Sequence, residues 1–79
     1  MTLELYHRIA DEDSAAARRE IVALGLAESI RFRNLAYDEV ATDFRAHGGT
    51  RVPALWNGEQ LVEGRDAVIA ALNTLAKTR

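Results

Sequence analysis

The dipeptide Asn57-Gly58, placed between two short apolar runs, constrains the fold of this chain more than any other local pattern. The runs are residues 54–56 and residues 60–62. Asn-Gly tolerates positive φ at both central positions of a type I′ turn, whose twist matches that of the flanking strands. The pattern therefore predicts an antiparallel β-hairpin with Asn57 and Gly58 at its tip.

The beginning of the chain predicts a strand and then a helix. Residues 2–6 alternate in polarity, as a half-buried strand does. A polar run follows that offers helix N-cap residues, and after it apolar residues recur with helical spacing until Gly25. The N-cap candidates are Asp11, Glu12, Asp13 and Ser14, and the predicted buried stripe is Ala17, Ile21 and Leu24.

Residues 29–35 alternate again and predict a second strand that suits a sheet edge. Ile30 and Phe32 would share the buried face, with Arg31 and Arg33 on the other. The two arginines could bind an anionic partner, or they could discourage edge-to-edge association with another molecule.

Two further helices complete the pattern. In the second helix, Asp38 is the predicted cap, Val40 and Phe44 share a face, and Gly48-Gly49 ends the helix. Gly64 and Asp66 open the last helix, whose predicted buried stripe is Val68, Leu72 and Leu75.

The resulting order is β-α-β-α-β-β-α. A β-α-β unit requires parallel strands joined by a right-handed crossover, whereas the hairpin adds an antiparallel pair. The sequence therefore predicts an α/β fold with a mixed sheet covered by helices.

Length and charge exclude several classes of function. With 79 residues there is room for one domain, residues 1–79, which we expect to be a monomer or a weak homodimer. A net charge of −2 gives no overall attraction to nucleic acid or to an anionic membrane. The chain has no cysteine, no leader-like start and no apolar run of membrane length, so we expect a cytoplasmic protein with no membrane or nucleic-acid partner.

The order of elements, the Val52-Pro53 dipeptide before the third strand, and the turn Val62-Glu63-Gly64-x-Asp66 together resemble glutaredoxins. They resemble the N-terminal domain of glutathione transferases more distantly. The resemblance spans nearly the whole chain and implies a thioredoxin-like, glutaredoxin-type three-layer sandwich with a four-stranded mixed sheet. It also implies a cis peptide bond between Val52 and Pro53.

In glutaredoxins the redox cysteines lie between the first strand and the first helix, and the corresponding positions here are Asp11 and Ser14. Thiol-disulfide exchange requires a thiolate, which neither a carboxylate nor an unactivated hydroxyl replaces. We therefore predict no oxidoreductase activity. The alternative role for residues 11–14 is to cap the first helix.

The resemblance also implies a ligand site, since glutaredoxins hold glutathione from two loops. The matching residues here are Arg51, Val52, Pro53, Gly64, Arg65 and Asp66. In the family, the main chain before the proline pairs with the cysteinyl unit, and the turn before the last helix receives the γ-glutamyl carboxylate. The alternative is a capped helix and a tight loop with no ligand. This chain departs from the family in carrying arginine at position 51, where threonine is common, and in keeping only Asp66 of the paired carboxyl residues at the helix start.

Other candidate residues have a structural explanation. His7, Asp11 and Ser14 supply the residue types of a hydrolytic triad but lack an accompanying oxyanion-hole motif. His7 and His47 do not form a zinc signature, so no metal is predicted, and we expect each at the surface or a helix end. Trp56 is expected to pack in a core strand, and Tyr37 to pack against a helix cap.

The sequence as a whole predicts a redox-inactive, glutaredoxin-like module that binds an unidentified protein partner and carries no resident cofactor. The alternative is a domain that binds glutathione or a thiol peptide, with at most weak transferase-like activation of a thiol by Ser14 or Tyr6. A third possibility is an adaptor that docks where a glutaredoxin would dock, without reacting.

Overall fold

The computed structural model describes residues 3–78 and contains four strands and three helices in the predicted order. The elements are β1 (Leu3–His7), α1 (Glu12–Ala23), β2 (Ile30–Asn34), α2 (Asp38–Ala46), β3 (Ala54–Trp56), β4 (Leu61–Glu63) and α3 (Arg65–Lys77). The predicted first residue of strand one, Thr2, lies outside the described residues. None of the helices in the described range has the length and apolar character needed to cross a membrane.

The strands form one open, mixed sheet in the order β2-β1-β3-β4. β1 runs parallel to β2, with Leu3 opposite Ile30 and His7 opposite Asn34. β3 is antiparallel to both β1 and β4. The predicted mixed sheet and the edge position of the second strand are thus confirmed.

One apolar cluster covers each face of the sheet, and successive residues of β1 belong to different clusters. Leu5 belongs to the cluster formed with α1 and α3, which we call the α1/α3-side cluster. Tyr6 belongs to the cluster formed with α2, which we call the α2-side cluster. Both side chains are fully buried, as expected for successive residues of a strand covered on both faces.

The predicted turn of the β-hairpin is wrong. A type I′ turn requires positive φ at both central residues. Gly58 has a φ of +99°, but among residues 3–78 only glycines have positive φ, so Asn57 does not adopt the type I′ conformation. Trp56 pairs with Leu61, which leaves a four-residue loop and starts β4 one residue later than predicted. The Asn57 Oδ1 accepts hydrogen bonds from the N–H groups of Glu59 (2.9 Å) and Gln60 (2.8 Å), and the Asn57 N–H donates to the Gln60 carbonyl (3.3 Å). These bonds close the loop in place of the predicted type I′ turn.

The predicted burial along β2 is also partly wrong. Ile30 is buried, but the side chain of Phe32 on the same face is 41% exposed. On the other face Arg33 is buried, since its guanidinium donates to Glu4 Oε1 (2.9 Å) and Asp43 Oδ2 (2.8 Å). Two carboxylates compensate this cation, so Arg33 is not available to an anionic partner, while Arg31 stays exposed.

The helix ends follow the predictions with one exception. Asp11 caps α1, and α1 and α2 end before Gly25 and Gly48-Gly49 as predicted. Asp38, however, is the first residue of α2 and not its cap. The N-cap position belongs to Tyr37, whose side chain makes no capping hydrogen bond and is 63% exposed.

Candidate functional site

An open cleft of about 480 Å³ lies at the start of α3, and we call it the α3 cleft. It brings together four of the six ligand-binding residues predicted from the sequence: Arg51, Gly64, Arg65 and Asp66. The remaining lining residues are Asp13, Glu63 and Ala67. Val52 and Pro53 do not line the cleft, although they follow Arg51 directly.

The Val52-Pro53 peptide bond is cis, as the family resemblance implied. Pro53 is buried, and its carbonyl accepts a 2.9 Å hydrogen bond from the Gly64 N–H, which joins the proline loop to the start of α3. Val52 is half-buried against the α2-side cluster. No hydrogen bond joins its main-chain N–H or C=O to any residue in the range 3–78. Within the described residues, the main-chain N–H and C=O of Val52 therefore have no protein partner.

Glu63, at the end of β4, holds the loop that carries Arg51. Its Oε2 accepts hydrogen bonds from the main-chain N–H groups of Thr50 (2.7 Å) and Arg51 (2.8 Å). Burial opposes ionisation of this carboxyl, but the hydrogen bonds from Thr50 and Arg51 outweigh it and lower the pKa of Glu63. The motif around Glu63 does not reveal this role from sequence. The usable signal was its place opposite Ala54 in the hairpin, next to the loop.

Gly64 is the N-cap of α3 and has a φ of +96°, in the region that favours glycine. A Cβ at this position would collide with Nη2 of Arg51, so the guanidinium packs directly against the Gly64 main chain. Because Gly64 has no side chain, the cap residue offers no side-chain acceptor to the first N–H groups of α3. The positive end of the helix dipole and a guanidinium therefore meet in the cleft.

The cleft also carries negative charge from α1. Arg65 Nη1 lies 3.9 Å from Asp13 Oδ1, and both side chains are 56% exposed, so the ion pair is weak and screened by solvent. Asp66 in the first turn of α3 supplies a second carboxylate. The α3 cleft thus offers two guanidinium groups and two exposed carboxylates within one small volume.

Asp11 and Ser14, at the positions that the resemblance assigns to redox cysteines, do not present a reactive group. The Asp11 carboxylate accepts a 2.7 Å hydrogen bond from the Ser14 N–H, which is the capping role given as the alternative. Ser14 is fully buried, and its Oγ accepts a hydrogen bond from the Arg8 N–H at 3.2 Å. The hydroxyl of Ser14 is therefore closed off from a substrate.

The proposed hydrolytic constellation is not assembled. His7 was expected at the surface or a helix end, but it ends strand β1 and is only 4% exposed, and its Nδ1 lies 3.0 Å from Arg18 Nη1. Burial and a hydrogen bond to Glu4 raise the pKa of Tyr6 to about 12, the opposite of what an activated phenol needs. Tyr6, like Ser14, is fully buried. Neither hydroxyl is placed to activate a thiol.

The remaining aromatic and histidine candidates have structural surroundings. Trp56 is half-buried beside the α2-side cluster and stacks on His47, with ring centroids 3.7 Å apart and an interplanar angle of 11°. His47 is the C-cap of α2, a helix end as predicted. Among residues 3–78, no three His, Asp or Glu side chains are grouped so as to hold a metal ion.

Comparison with protein-family models and with curated proteins gave no match.

Proposed function

We propose that the chain is a redox-inactive binding module of the glutaredoxin type, with a thioredoxin-like fold. Its ligand is an extended peptide segment that pairs with the Val52 main chain and places a charged terminal group in the α3 cleft. The observation that carries the proposal is the convergence of Arg51, Gly64, Arg65 and Asp66 on one cleft beside Val52.

The free main-chain groups of Val52 support an extended ligand. Peptides that add to an exposed strand-like edge gain affinity from main-chain hydrogen bonds, and neighbouring side-chain contacts give selectivity. Because Glu63 holds residues 50 and 51 and the Pro53 carbonyl is bonded to Gly64, the edge at Val52 is already ordered before a ligand arrives. Preorganisation of this kind lowers the entropic cost of binding.

The charges of the cleft support a zwitterionic terminal group. Arg51, Arg65 and the start of α3 suit a carboxylate, since guanidinium groups and helix N-termini both bind carboxylates well. Asp13 and Asp66 suit an ammonium group. A volume of about 480 Å³ is within the usual range for small-ligand sites, about 300–1,000 Å³.

Glutathione is the smallest common ligand with these features, because it is an extended thiol peptide whose γ-glutamyl end carries both an ammonium and a carboxylate. Binding would involve no covalent step, since the chain contains no cysteine. A protein segment with a similar terminus would use the same contacts, and its docked surface could extend over residues 11–14.

The experiment is an amide NMR titration of the full chain with reduced glutathione, S-methylglutathione and oxidised glutathione. We expect shifts at Val52, at residues 64–66 and at Asp13, and equal affinity for the first two ligands because the thiol does not react. The absence of shifts at roughly millimolar ligand would exclude glutathione and leave a protein segment as the ligand.

Two arginine variants separate specific from general electrostatic effects. Arg65→Ala removes a guanidinium that lines the cleft and should weaken glutathione binding about tenfold. Arg31→Ala removes an exposed arginine of the edge strand β2, changes the net charge equally, and should leave the affinity unchanged. Equal weakening by both variants would contradict a ligand site in the α3 cleft.

A further inference from the structure

Arg18 of α1 fastens the loop between β1 and α1. Its Nη1 donates to the Arg8 carbonyl at 3.1 Å, and its Nη2 donates to the Ile9 carbonyl at 3.3 Å. The same Nη1 lies 3.0 Å from Nδ1 of His7. One half-buried side chain thus connects the helix, the end of β1 and the exposed residues 8 and 9.

The contact with Arg18 fixes the protonation state of His7. A guanidinium has only donors, so His7 Nδ1 must accept, which requires a neutral imidazole with its proton on Nε2. His7 is only 4% exposed, so water cannot replace this contact without movement of the chain.

Within residues 3–78, no carboxylate bonds to His7 or stabilises an imidazolium there. From α1 the ring faces Arg18, and from β2 it faces the edge of Phe32, with centroids 5.8 Å apart. Its strand partner in β2 is Asn34, which does not titrate. On the β3 side, Tyr6 pairs with Ala54, so the residue next in register to His7 is Pro53, which does not titrate either. Among residues 3–78, Arg18 is the one charge that perturbs His7 appreciably, and the carboxylates of the α1 start do not.

We propose that His7 and Arg18 form a pH-sensitive latch, in which protonation of His7 releases Arg18 and frees residues 8–10. Protonation converts Nδ1 from an acceptor into a donor and places two cations in contact. Because His7 is held in strand β1 whereas Arg18 has a long, flexible side chain, it is Arg18 that moves away. Its hydrogen bonds to the Arg8 and Ile9 carbonyls are then lost together.

The loop has little else to hold it. Apart from the bonds to Arg18, the hydrogen bonds of residues 8–10 within the described chain are long: Arg8 N–H donates to Ser14 Oγ at 3.2 Å, and Asp11 N–H donates to the Arg8 carbonyl at 3.3 Å. Residues 8–10 are exposed, so no buried apolar contact opposes their movement. Burial first and the Arg18 charge second lower the pKa of His7, which places the transition below the ordinary histidine value of 6.5.

The test follows the ring nitrogens of His7 by NMR while measuring amide hydrogen exchange at Arg8 and Asp11 across the acidic range. After correction for the intrinsic pH dependence of exchange, we expect both amides to exchange about tenfold faster as His7 becomes protonated, with the same midpoint. Exchange that does not follow the protonation of His7 would overturn the proposal.

Variants isolate the latch from general acid effects. His7→Asn keeps an acceptor near Nδ1 but cannot titrate, so the loop should stay protected at acidic pH. Arg18→Gln removes the guanidinium of the latch, so amide exchange should be fast and independent of His7 protonation. This second variant keeps the proposal testable if His7→Asn does not fold. His47→Asn, at the other histidine, should leave the wild-type transition in place. A transition that persists in His7→Asn or in Arg18→Gln would contradict the proposal.

Discussion

Gly64 meets two separate requirements at the start of α3. Its φ of +96° is costly for any residue with a Cβ, and the space where a Cβ would lie is occupied by the guanidinium of Arg51. The family resemblance selected this glycine for its position before the last helix. The physical reason is more specific, because the glycine lets a cation approach the helix start.

We expect Gly64→Ala to lower the free energy of unfolding by about 2 kcal/mol, through backbone strain and displacement of Arg51. Urea denaturation measures this change. The matched control is Gly48→Ala, which also has positive φ, +84°, but has nothing within 4 Å of a built Cβ. It should cost about 1 kcal/mol. Equal losses in the two variants would show that Arg51 does not resist the added methyl group.

At the scale of elements, Arg33 connects three parts of the fold. From β2 it reaches Glu4 on β1 and Asp43 on α2, and its guanidinium carbon lies 5.5 Å from the centre of the Tyr6 ring. The side chains of Arg33 and Glu4 are 10% and 16% exposed, whereas that of Asp43 is 53% exposed. The contact with Glu4 is therefore the more strongly desolvated one, and its loss would leave a carboxylate with little access to water.

Replacement of Arg33 by methionine should destabilise the protein by about 2–3 kcal/mol, since Glu4 loses its counter-ion in a desolvated position. Arg31→Met, two residues earlier on the same strand and exposed, should change stability by less than about 0.5 kcal/mol. Urea unfolding of the two variants gives the comparison. If Arg33→Met were as stable as Arg31→Met, the ion pair with Glu4 would contribute nothing.

These elements also show how far sequence reasoning extends. The element order was predictable because strand alternation, helix spacing and glycine breaks are local patterns. The burial of Arg33 was not, because its partner Glu4 is 29 residues away in sequence. The predicted turn type at Asn57 was wrong because the asparagine side chain accepts hydrogen bonds from the main chain of its own loop. In the candidate site, the resemblance pointed to Arg51, Gly64 and Arg65, which line the cleft. The role of Glu63 depends on the register of the hairpin, which could not be read correctly from a mispredicted turn.

At the scale of the whole molecule, two groups couple folding to pH in the same direction. The pKa values of His7 and Glu63 are both lowered in the folded state, so the unfolded chain binds more protons than the folded one as the pH falls. The contribution of His7 to the free energy of unfolding is complete above the pKa of the unfolded chain, 6.5, and is lost as the pH falls below that value. The stability from Glu63 is lost in the same way below 4.5.

We expect the free energy of unfolding to decline in two steps on acidification, and Glu63→Gln to remove most of the lower step. At neutral pH this variant should be less stable by about 1 kcal/mol, since the amide oxygen still accepts from the loop but carries no charge. Urea unfolding at a series of pH values measures both effects. An unchanged lower step in Glu63→Gln would show that other carboxylates cause it.

The stack of Trp56 on His47 gives the molecule a built-in optical reporter. Trp56 is the one tryptophan of the chain, so its emission comes from a single place, where the end of α2 meets β3. A movement that separates the indole of Trp56 from the His47 ring would alter the fluorescence without unfolding the sheet. Light emission can therefore distinguish a local rearrangement at the α2 side from loosening of the loop around His7 on the opposite face.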